Sequence, residues 1–312
     1  MKKLDLISLA DLTPEQFSRI LSNAADMKRG RATGGAARPL EGKTVAMLFQ
    51  KPSLRTRVSF DAGITQLGGH AIYLAPEEVG LGGREPTEDV ARVLSRYVDG
   101  VVARVFAHRI VEHLARYATV PVINGLSDGE HPCQALADLQ TIAERKDGLA
   151  GVTVAYVGDG NNVAVSLLLG AAMSGINMRV ASPEGFEIPW QTVGQALSLA
   201  STTEARVDLF RDPQEAVHGA DVVYTDVWTS MGQEDEAAKR RRAFQGYQVT
   251  PELLAKANPG AIFMHPLPAH HGEEVAVGLL DHPGSVVFDQ AENRLHAQKA
   301  LLSELIGGSV AS

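Results

Sequence analysis

Short apolar runs rich in Val and Ile alternate along the chain with longer segments in which apolar residues recur at helical spacing. Continuous apolar runs of this length are typical of strands buried on both faces. They lie at residues 44–49, 71–74, 101–105 and 120–123 in the first half, and at 152–157, 178–181, 207–209, 222–225 and 261–264 in the second. Because strands alternate with helices, the pattern predicts an α/β protein with parallel sheets covered on both faces.

Several of the helical segments carry their own start signals. Thr13 and Asp212 each stand before a proline and can cap a helix, and Pro86 precedes Thr-Glu-Asp. A long helix is predicted from about residue 132 to residue 146, and the last periodic segment runs from 291 to 305.

Four strand runs precede the long helix and five follow it. A chain of 312 residues usually forms two domains, each with its own core. We therefore expect two doubly wound parallel-sheet domains joined by the long helix, at residues 1–147 and 148–290. The segment after residue 290 could cap either domain.

Composition and charge narrow the class of function. With 45% hydrophobic residues the chain is an ordinary globular protein, and its net charge of −8 argues against a general binder of nucleic acid or anionic membranes. The basic run 239–242 follows the acidic run 234–236, so pairs on a solvated helix explain it better than a nucleic-acid patch. The single cysteine, Cys133, excludes a disulfide framework and favours the cytoplasm, and no run reaches the roughly 18 apolar residues of a membrane span.

The segment 155–163, Ala-Tyr-Val-Gly-Asp-Gly-Asn-Asn-Val, leads from a strand through a tight turn into an apolar helix. A dinucleotide-binding fingerprint requires a third glycine where Val163 stands, and the next strand ends without a carboxylate for the ribose, so nicotinamide binding is the weaker interpretation. A plain glycine turn does not explain Asn161 and Asn162, whose amides can meet an anionic or zwitterionic ligand at a helix N-terminus.

The segment 49–60 follows the first strong strand and opens a helix, but it lacks the glycine pattern of a nucleotide P-loop. The free N–H groups of a helix start, the hydroxyls of Ser53 and Thr56, and the guanidinium groups of Arg55 and Arg57 can converge on one dianion. This combination predicts a phosphate site, whereas any one of these residues alone would be an N-cap or a surface arginine.

Three further polar residues follow strands of the same half. Arg104 ends the run 101–105, while His131 and Gln134 follow the run 120–123. In parallel sheets ligands bind beyond the carboxyl ends of the strands, so we expect these residues to face the phosphate site. Arg and His directed at a carbonyl stabilise oxyanion charge, and the set therefore predicts an acyl phosphate as ligand, although His131 alone would be read as structural.

Together these motifs resemble the carbamoyltransferase family over nearly the whole chain, and most closely its ornithine branch. Residues 53–57 are similar to the S-x-R-T-R phosphate loop, residues 131–134 to H-P-x-Q, and residues 158–162 to G-D-x-x-N. Residues 226–232 are similar to D-x-x-x-S-M-G, and His-Pro-Leu-Pro at 265–268 stands where that branch usually has H-C-L-P.

The resemblance implies a carbamoyl-phosphate site and an ornithine site. The first consists of Ser53, Leu54, Arg55, Thr56, Arg104, His131, Gln134, the backbone at Pro266 and Leu267, and Arg294. The second consists of Asn162, Asp226, Ser230 and Met231. The resemblance implies catalytic roles for Arg104, His131 and Pro266. The resemblance also implies that residues 291–312 pack back on the first domain, and that the chain forms a homotrimer or a multiple of trimers with active sites at subunit borders.

The implied reaction transfers the carbamoyl group of carbamoyl phosphate to the δ-amine of L-ornithine, giving citrulline and phosphate. It requires no metal or organic cofactor, and it requires no protein base because the leaving phosphate can accept the amine proton. Asp226 and Ser230 suit an ammonium group, whereas aspartate would call for Arg or Lys in the segment 226–233. The alternatives are a carbamoyltransferase for aspartate, putrescine or an acylated ornithine, and a binding module that kept the fold without catalysis.

Two positions depart from the family pattern. Pro266 replaces a cysteine, which removes a thiol and keeps a backbone carbonyl, so we expect a changed ornithine affinity. Gly80 stands where many relatives have Gln, in a stretch where Arg84 could supply the missing phosphate contact. We expect the second change to leave the reaction intact.

Overall fold

A computed structural model describes residues 3–33, 38–81 and 85–307. The chain divides into two compact units. Unit 1 comprises Met1–Gln140 and Glu292–Ser312, and unit 2 comprises Thr141–Ala291. Each boundary falls inside a helix, so the chain passes from one unit to the other without a loop.

Unit 1 is built on a four-stranded parallel sheet with the order β2-β1-β3-β4. The strands are β1 (Thr44–Phe49), β2 (His70–Leu74), β3 (Gly100–Arg104) and β4 (Val122–Leu126). The helices are α1 (Pro14–Thr33), α2 (Leu54–Gln66), α3 (Pro76–Val79), α4 (Thr87–Leu94), α5 (His108–Tyr117), and the greater part of α6 (Pro132–Lys146) and α12 (Val287–Ile306).

Unit 2 is built on a five-stranded parallel sheet with the order β7-β6-β5-β8-β9. The strands are β5 (Thr153–Val157), β6 (Asn177–Ala181), β7 (Val207–Phe210), β8 (Val222–Tyr224) and β9 (Ile262–Met264). The helices between them are α7 (Asn162–Ser174), α8 (Trp190–Ala200), α9 (Pro213–Val217), α10 (Ala237–Ala243) and α11 (Pro251–Leu254).

The predicted fold class, two parallel-sheet α/β domains, is confirmed. Each of the nine apolar runs is a strand of the described chain, with ends within three residues of the predicted ones. The long helix α6 spans the predicted residues, and α12 begins four residues earlier than predicted. In the described ranges no helix is long and apolar enough to cross a membrane.

Each unit has its own apolar core against its sheet. In unit 1, Leu48 and Val101 of the central strands pack with Val111 and Leu114 of α5. In unit 2 the core includes Phe263 of β9 and extends to the rings of Trp228 and Phe244, which stack with their centroids 5.5 Å apart. Because these strands are buried along their whole length, their carboxyl ends are held at fixed positions from which the following loops begin.

One residue of the basic run 239–242 is buried, although the sequence predicts that the whole run is exposed to solvent. Lys239, Arg241 and Arg242 are exposed, as expected for a solvated helix, but Arg240 is buried. The expected pair at i,i+4 is present between Arg240 Nε and Glu236 Oε2, at 3.1 Å. The expectation of a wholly solvated helix is wrong at this residue, because helical rotation turns it toward the body of unit 2.

The turn before α7 brings two backbone segments into close contact at Gly160. A Cβ atom at this position would lie 2.2 Å from the nitrogen of Ile188 and 2.3 Å from the carbonyl carbon of Glu187. The N–H of Gly160 also donates to the carbonyl of Phe186 at 2.8 Å. A side chain at Gly160 would therefore displace backbone rather than a flexible side chain.

We predict that Gly160→Ala lowers the free energy of unfolding by at least about 2 kcal/mol, since the added methyl group overlaps backbone atoms. Gly194 provides a matched control, because it is exposed within α8 and an added Cβ meets nothing within 4 Å. Gly194→Ala should stabilise the protein by about 0.5–1 kcal/mol. Urea denaturation measures both changes, and equal stabilities for the two variants would contradict the packing at Gly160.

Candidate active site

The N-terminus of α2 forms the centre of a polar site in unit 1. Ser53 caps this helix, because its Oγ accepts a hydrogen bond from the N–H of Thr56 at 3.3 Å. The hydroxyl of Ser53 also donates to the hydroxyl of Thr56 at 3.0 Å. The first-turn N–H groups of a helix have no intrahelical acceptors and carry the positive end of its dipole, so this end favours an anion.

The buried hydroxyl of Thr56 accepts hydrogen bonds from two arginines. Arg294 Nη2 of α12 lies 2.7 Å from Thr56 Oγ1, and Arg104 Nη1 lies 3.5 Å from it. The register of the sheet explains the second contact, since Phe49 at the end of β1 is opposite Arg104 at the end of β3. The structure thus brings together Ser53 and Thr56 of the phosphate loop, Arg104 at the end of β3, and Arg294, which the family resemblance alone implied.

The electrostatic environment of this cluster is positive. Burial, with Arg294 and Arg55 nearby, lowers the pKa of Arg104 to about 10, so this guanidinium remains charged at neutral pH. Burial also lowers the pKa of Arg55. Burial and the two guanidinium groups of Arg294 and Arg104 lower the pKa of His131 well below its usual value, so its imidazole is neutral. A neutral imidazole can donate one hydrogen bond without adding to the repulsion.

Gln134 lies in the first turn of α6, directly after His131 and Pro132. Its Nε2 donates to Asp138 Oδ1 at 2.8 Å, one turn further along the helix. This bond fixes the orientation of the amide. Within residues 3–33, 38–81 and 85–307, no hydrogen-bond partner is present for its buried Oε1 or for the buried Nε of Arg104. An acceptor and a donor of this kind are suited to the NH₂ and C=O groups of an amide-like ligand.

Two other residues of the phosphate loop differ in their surroundings. The side chain of Leu54 is 77% exposed, so only its backbone N–H is placed to serve the site. The guanidinium carbon of Arg57, expected at the same dianion as Arg55, instead lies 3.8 Å from the centroid of the Tyr73 ring. We therefore leave Arg57 out of the cluster.

Asp226, at the end of β8, is the centre of the polar site in unit 2. Asn161 caps α7 through its Oδ1, which accepts from the N–H groups of Val163 and Ala164 at 3.0 and 3.1 Å. Its Nδ2 donates to Asp226 Oδ2 at 2.8 Å. Burial raises the pKa of Asp226, while His265, the Asn161 amide and the N–H of Val227 act in the opposite direction.

The remaining residues predicted for ornithine lie in the same unit. Asn162 is the first residue of α7, beside the cap. In the loop after Asp226, the N–H of Ser230 donates to Gln233 Oε1 at 3.2 Å, and the side chain of Met231 is 50% exposed. Asn161 thus caps α7 and contacts Asp226, whereas Asn162 is the first residue of the helix.

The His-Pro-Leu-Pro segment is fixed by buried hydrogen bonds. His265 Nδ1 accepts from the N–H of Leu267 at 2.9 Å, so Nε2 carries the proton and faces Glu274 Oε1 at 3.2 Å. Pro266 is buried, and Leu267 has a φ of 59°, a left-handed conformation uncommon for a residue with a side chain. Both belong to unit 2, whereas the other residues predicted for carbamoyl phosphate belong to unit 1.

One group of described residues has the spacing of metal ligands. The ligand atoms of His270, Glu273 and Glu274 lie within 4.8 Å of one another. The carboxylates already accept hydrogen bonds from the protein: Arg241 Nε donates to Glu273 at 2.8 Å, and Glu274 faces His265. Hydrogen bonding accounts for this group, and we assign no metal to it.

Sequence reasoning missed several residues that hold the sites in place. Asp138 and Glu274 orient residues of the predicted motifs without standing in a motif themselves, and the i,i+4 spacing of Gln134 and Asp138 is the one signal that the sequence offers for them. Gly80 ends α3 with a φ of 55°, a conformation that glycine adopts readily and a glutamine does not. Arg84, the expected substitute for the missing glutamine, lies outside the described residues.

Comparison with known proteins agrees with this geometry. Sequence models of the aspartate/ornithine carbamoyltransferase family match residues 4–144 (carbamoyl-P binding domain) and 150–305 (Asp/Orn binding domain). The chain is 55% identical to an ornithine carbamoyltransferase of Thermococcus kodakarensis, over 97% of this chain and 96% of that protein. It is 56% identical to one of Acidothermus cellulolyticus, over 95% of this chain and 94% of that protein.

Solved structures give the same result for the fold. The ornithine carbamoyltransferase of Pyrococcus furiosus has a TM-score of 0.95 and 54% identity, with 97% of each chain covered. That of Thermus thermophilus has a TM-score of 0.88 and 47% identity, covering 97% of this chain and 98% of the other. The chain therefore belongs to the aspartate/ornithine carbamoyltransferase family.

Proposed function

We propose that the chain transfers the carbamoyl group of carbamoyl phosphate to the δ-amine of L-ornithine, giving L-citrulline and phosphate. The observation that carries this proposal is the buried cluster at the start of α2, where Arg104 and Arg294 both donate to the hydroxyl of Thr56. The relatives reported above, at 47–56% identity, bear the name ornithine carbamoyltransferase.

The phosphate of carbamoyl phosphate binds at the N-terminus of α2. Ser53, Leu54, Arg55 and Thr56 supply hydroxyl, backbone N–H and guanidinium donors there, and Arg294 adds a second cation. Support comes from the surroundings of Arg104, since burial and the nearby charges of Arg294 and Arg55 lower its pKa and so disfavour its charged form. A bound dianion stabilises all of these cations.

The carbamoyl end binds beside the phosphate. Arg104 and the neutral His131 donate to its carbonyl oxygen, and Gln134 Oε1 accepts from its NH₂ group. When the neutral δ-amine attacks, a nitrogen–carbon bond forms and negative charge grows on the carbonyl oxygen, where these donors stabilise it. The carbon–oxygen bond to phosphate then breaks, and the departing phosphate takes the proton of the amine. All groups in this step are side chains of the protein or atoms of the two substrates.

The amino-acid substrate binds in unit 2 through Asn162, Asp226, Ser230 and Met231. The buried carboxylate of Asp226 suits the α-ammonium group of ornithine, and amide groups at the start of α7 suit its α-carboxylate. Aspartate would bring a second carboxylate to a site where burial, together with the nearby carboxylate of Glu274, already raises the pKa of Asp226. Ornithine is therefore favoured over aspartate.

The backbone at Pro266 and Leu267 completes the carbamoyl site. Support comes from the left-handed φ of Leu267, since a side-chain-bearing residue is kept in that conformation only where its surroundings require it. The bond from its N–H to His265 Nδ1 holds the segment in place. Pro266 supplies a carbonyl but no thiol, and we expect this to change the affinity for ornithine without removing the reaction.

We also propose that the chain forms a homotrimer, or a multiple of trimers, in the cytoplasm. Support for association comes from apolar side chains exposed on unit 1: Leu54 and Val58 on α2, and Ile72 on the edge strand β2. Support for a reducing compartment comes from the single cysteine, Cys133, whose thiol is buried.

The proposed reaction predicts citrulline formation from carbamoyl phosphate and ornithine. The rate at low ornithine concentration should rise toward alkaline pH, because the attacking amine must lose a proton and an amine of this type has a pKa of about 10.4. Arg104→Gln should lower kcat by about 100- to 1000-fold, since it removes a donor to the developing oxyanion. Colorimetric assay of citrulline measures both effects.

The same assay decides between substrates when ornithine, aspartate, putrescine and acetylornithine are compared side by side. Asp226→Asn should raise the KM for ornithine and leave that for carbamoyl phosphate nearly unchanged. Absence of citrulline across alkaline pH, or a faster reaction with another amine, would overturn the assignment to ornithine.

The phosphate site predicts that inorganic phosphate binds and stabilises the protein. Arg55→Ala should weaken phosphate binding by about 10- to 100-fold, because a charge-assisted bond is lost. Arg57→Ala is the matched control from the same loop, and its affinity should stay close to that of the wild type because this side chain stacks on Tyr73. Calorimetric titration measures both, and equal effects of the two substitutions would refute the site.

The proposed assembly predicts a mass of three chains or a multiple of three by light scattering. Val58→Glu should reduce that mass, because it places a charge among exposed apolar side chains of α2. Val277→Glu is the control, since Val277 is exposed in unit 2. A wild-type monomer at all concentrations would rule out the trimer.

A further inference from the structure

Three consecutive arginines in α10 have very different surroundings. Arg241 and Arg242 are exposed, whereas the side chain of Arg240 is only 8% exposed. Arg241 pairs at 2.8 Å with Glu273 near the surface. Since a buried guanidinium is costly unless it is paired, the contacts of Arg240 indicate what the residue does.

Arg240 joins three segments of unit 2. Its Nη1 donates to Asp159 Oδ2 at 2.8 Å and to the carbonyl of Trp228 at 2.9 Å. Its Nε donates to Glu236 at 3.1 Å, at the start of its own helix. The guanidinium carbon also lies 5.0 Å from the centroid of the Phe186 ring. One side chain thus connects the turn before α7 with the loop after β8.

Both connected segments carry residues proposed to bind ornithine. Asp159 stands two residues before Asn161, whose amide donates to Asp226 at 2.8 Å. Trp228 stands two residues after Asp226 and two before Ser230, and its ring stacks on Phe244 one turn beyond Arg240. The bonds of Arg240 and the Asn161–Asp226 bond therefore span the same gap between the turn and the loop, at two different points.

We propose that Arg240 is a positioning residue for recognition of the amino-acid substrate. By bonding to Asp159 and to the carbonyl of Trp228, it holds the turn and the loop in the register that lets Asn162, Asp226 and Ser230 act on one ligand. This inference rests on the proposed function, and it adds a residue that touches neither substrate.

The pKa of Asp159 gives the proposal a second measurable consequence, a change in pH dependence. Burial raises the pKa of Asp159 to about 6, Arg240 opposes this rise, and the carboxylates of Asp226 and Glu236 add to it. Removing the guanidinium therefore raises the pKa further. In Arg240→Gln the carboxylate of Asp159 is therefore protonated, and lost as a hydrogen-bond acceptor, at a higher pH than in the wild type.

The test compares Arg240→Gln and Arg240→Lys with Arg242→Gln, which changes an exposed arginine of the same helix. In Arg240→Gln the KM for ornithine should rise by about tenfold or more, because misplaced binding groups cost this much, while the KM for carbamoyl phosphate stays within about twofold. Arg240→Lys keeps a cation beside Asp159 and should recover part of the loss. Arg242→Gln should match the wild type.

The pH dependence of the ornithine KM separates positioning from loss of structure. As pH falls, the ornithine KM should begin to rise at a higher pH in Arg240→Gln than in the wild type. When Asp159→Asn is also present, Arg240→Gln should no longer shift the pH at which this KM rises. Thermal unfolding identifies variants that fail to fold. If Arg240→Gln fails to fold, Arg240→Lys decides the question, since its ornithine KM must then exceed that of the wild type while its KM for carbamoyl phosphate stays within about twofold.

Other results contradict the proposal. Equal changes in both KM values, or a fall in kcat alone with an unshifted pH profile, would assign Arg240 a structural role only. If the wild type forms citrulline and Arg240→Gln keeps its ornithine KM, this inference fails and the proposed function stands. If the wild type forms no citrulline, the proposed function fails and the inference fails with it.

Discussion

The burial of two arginine side chains, Arg104 and Arg294, beside the half-buried Arg55 is the constraint on which unit 1 depends. Burial lowers the pKa of Arg104, and the charges of Arg294 and Arg55 lower it further. Cations placed this way lower the stability of the fold, and the hydroxyl of Thr56 offsets only part of that cost. An anionic ligand relieves the repulsion, so the same arrangement that destabilises the unit gives it affinity for phosphate.

Unit 2 is organised by the opposite charge. Asp226, Asp159 and Glu274 are buried acids, and each is held by donors of the protein: an asparagine amide, an arginine and a histidine. Burial raises the pKa of Asp226, and an ammonium group of a ligand would favour its ionised form. The two units thus differ in the sign of the charge they can accept, which matches a substrate pair of one acyl phosphate and one amine.

The strands could be predicted from the sequence because the sheets are parallel and buried on both faces, so that each strand is a continuous apolar run. The site residues at strand ends could be predicted for a related reason, since parallel strands deliver their following loops to one edge. Asp138 and Glu274 could not, because a carboxylate that orients another side chain has no pattern of its own. Its role exists only once the fold has brought its partner within hydrogen-bond distance.

The arginines of α2 and α10 show most clearly which contacts cannot be predicted from the sequence. Successive residues of an α-helix point about 100° apart, so residues two apart face nearly opposite directions. Arg55 and Arg57 therefore cannot both face the start of α2 from within that helix, and Arg57 stacks on Tyr73 instead. Rotation likewise turns Arg240 inward and Arg241 outward in α10. A basic run on a helix is thus a set of separate contacts rather than one patch, and the residue that faces the protein interior has to be assigned by its partners.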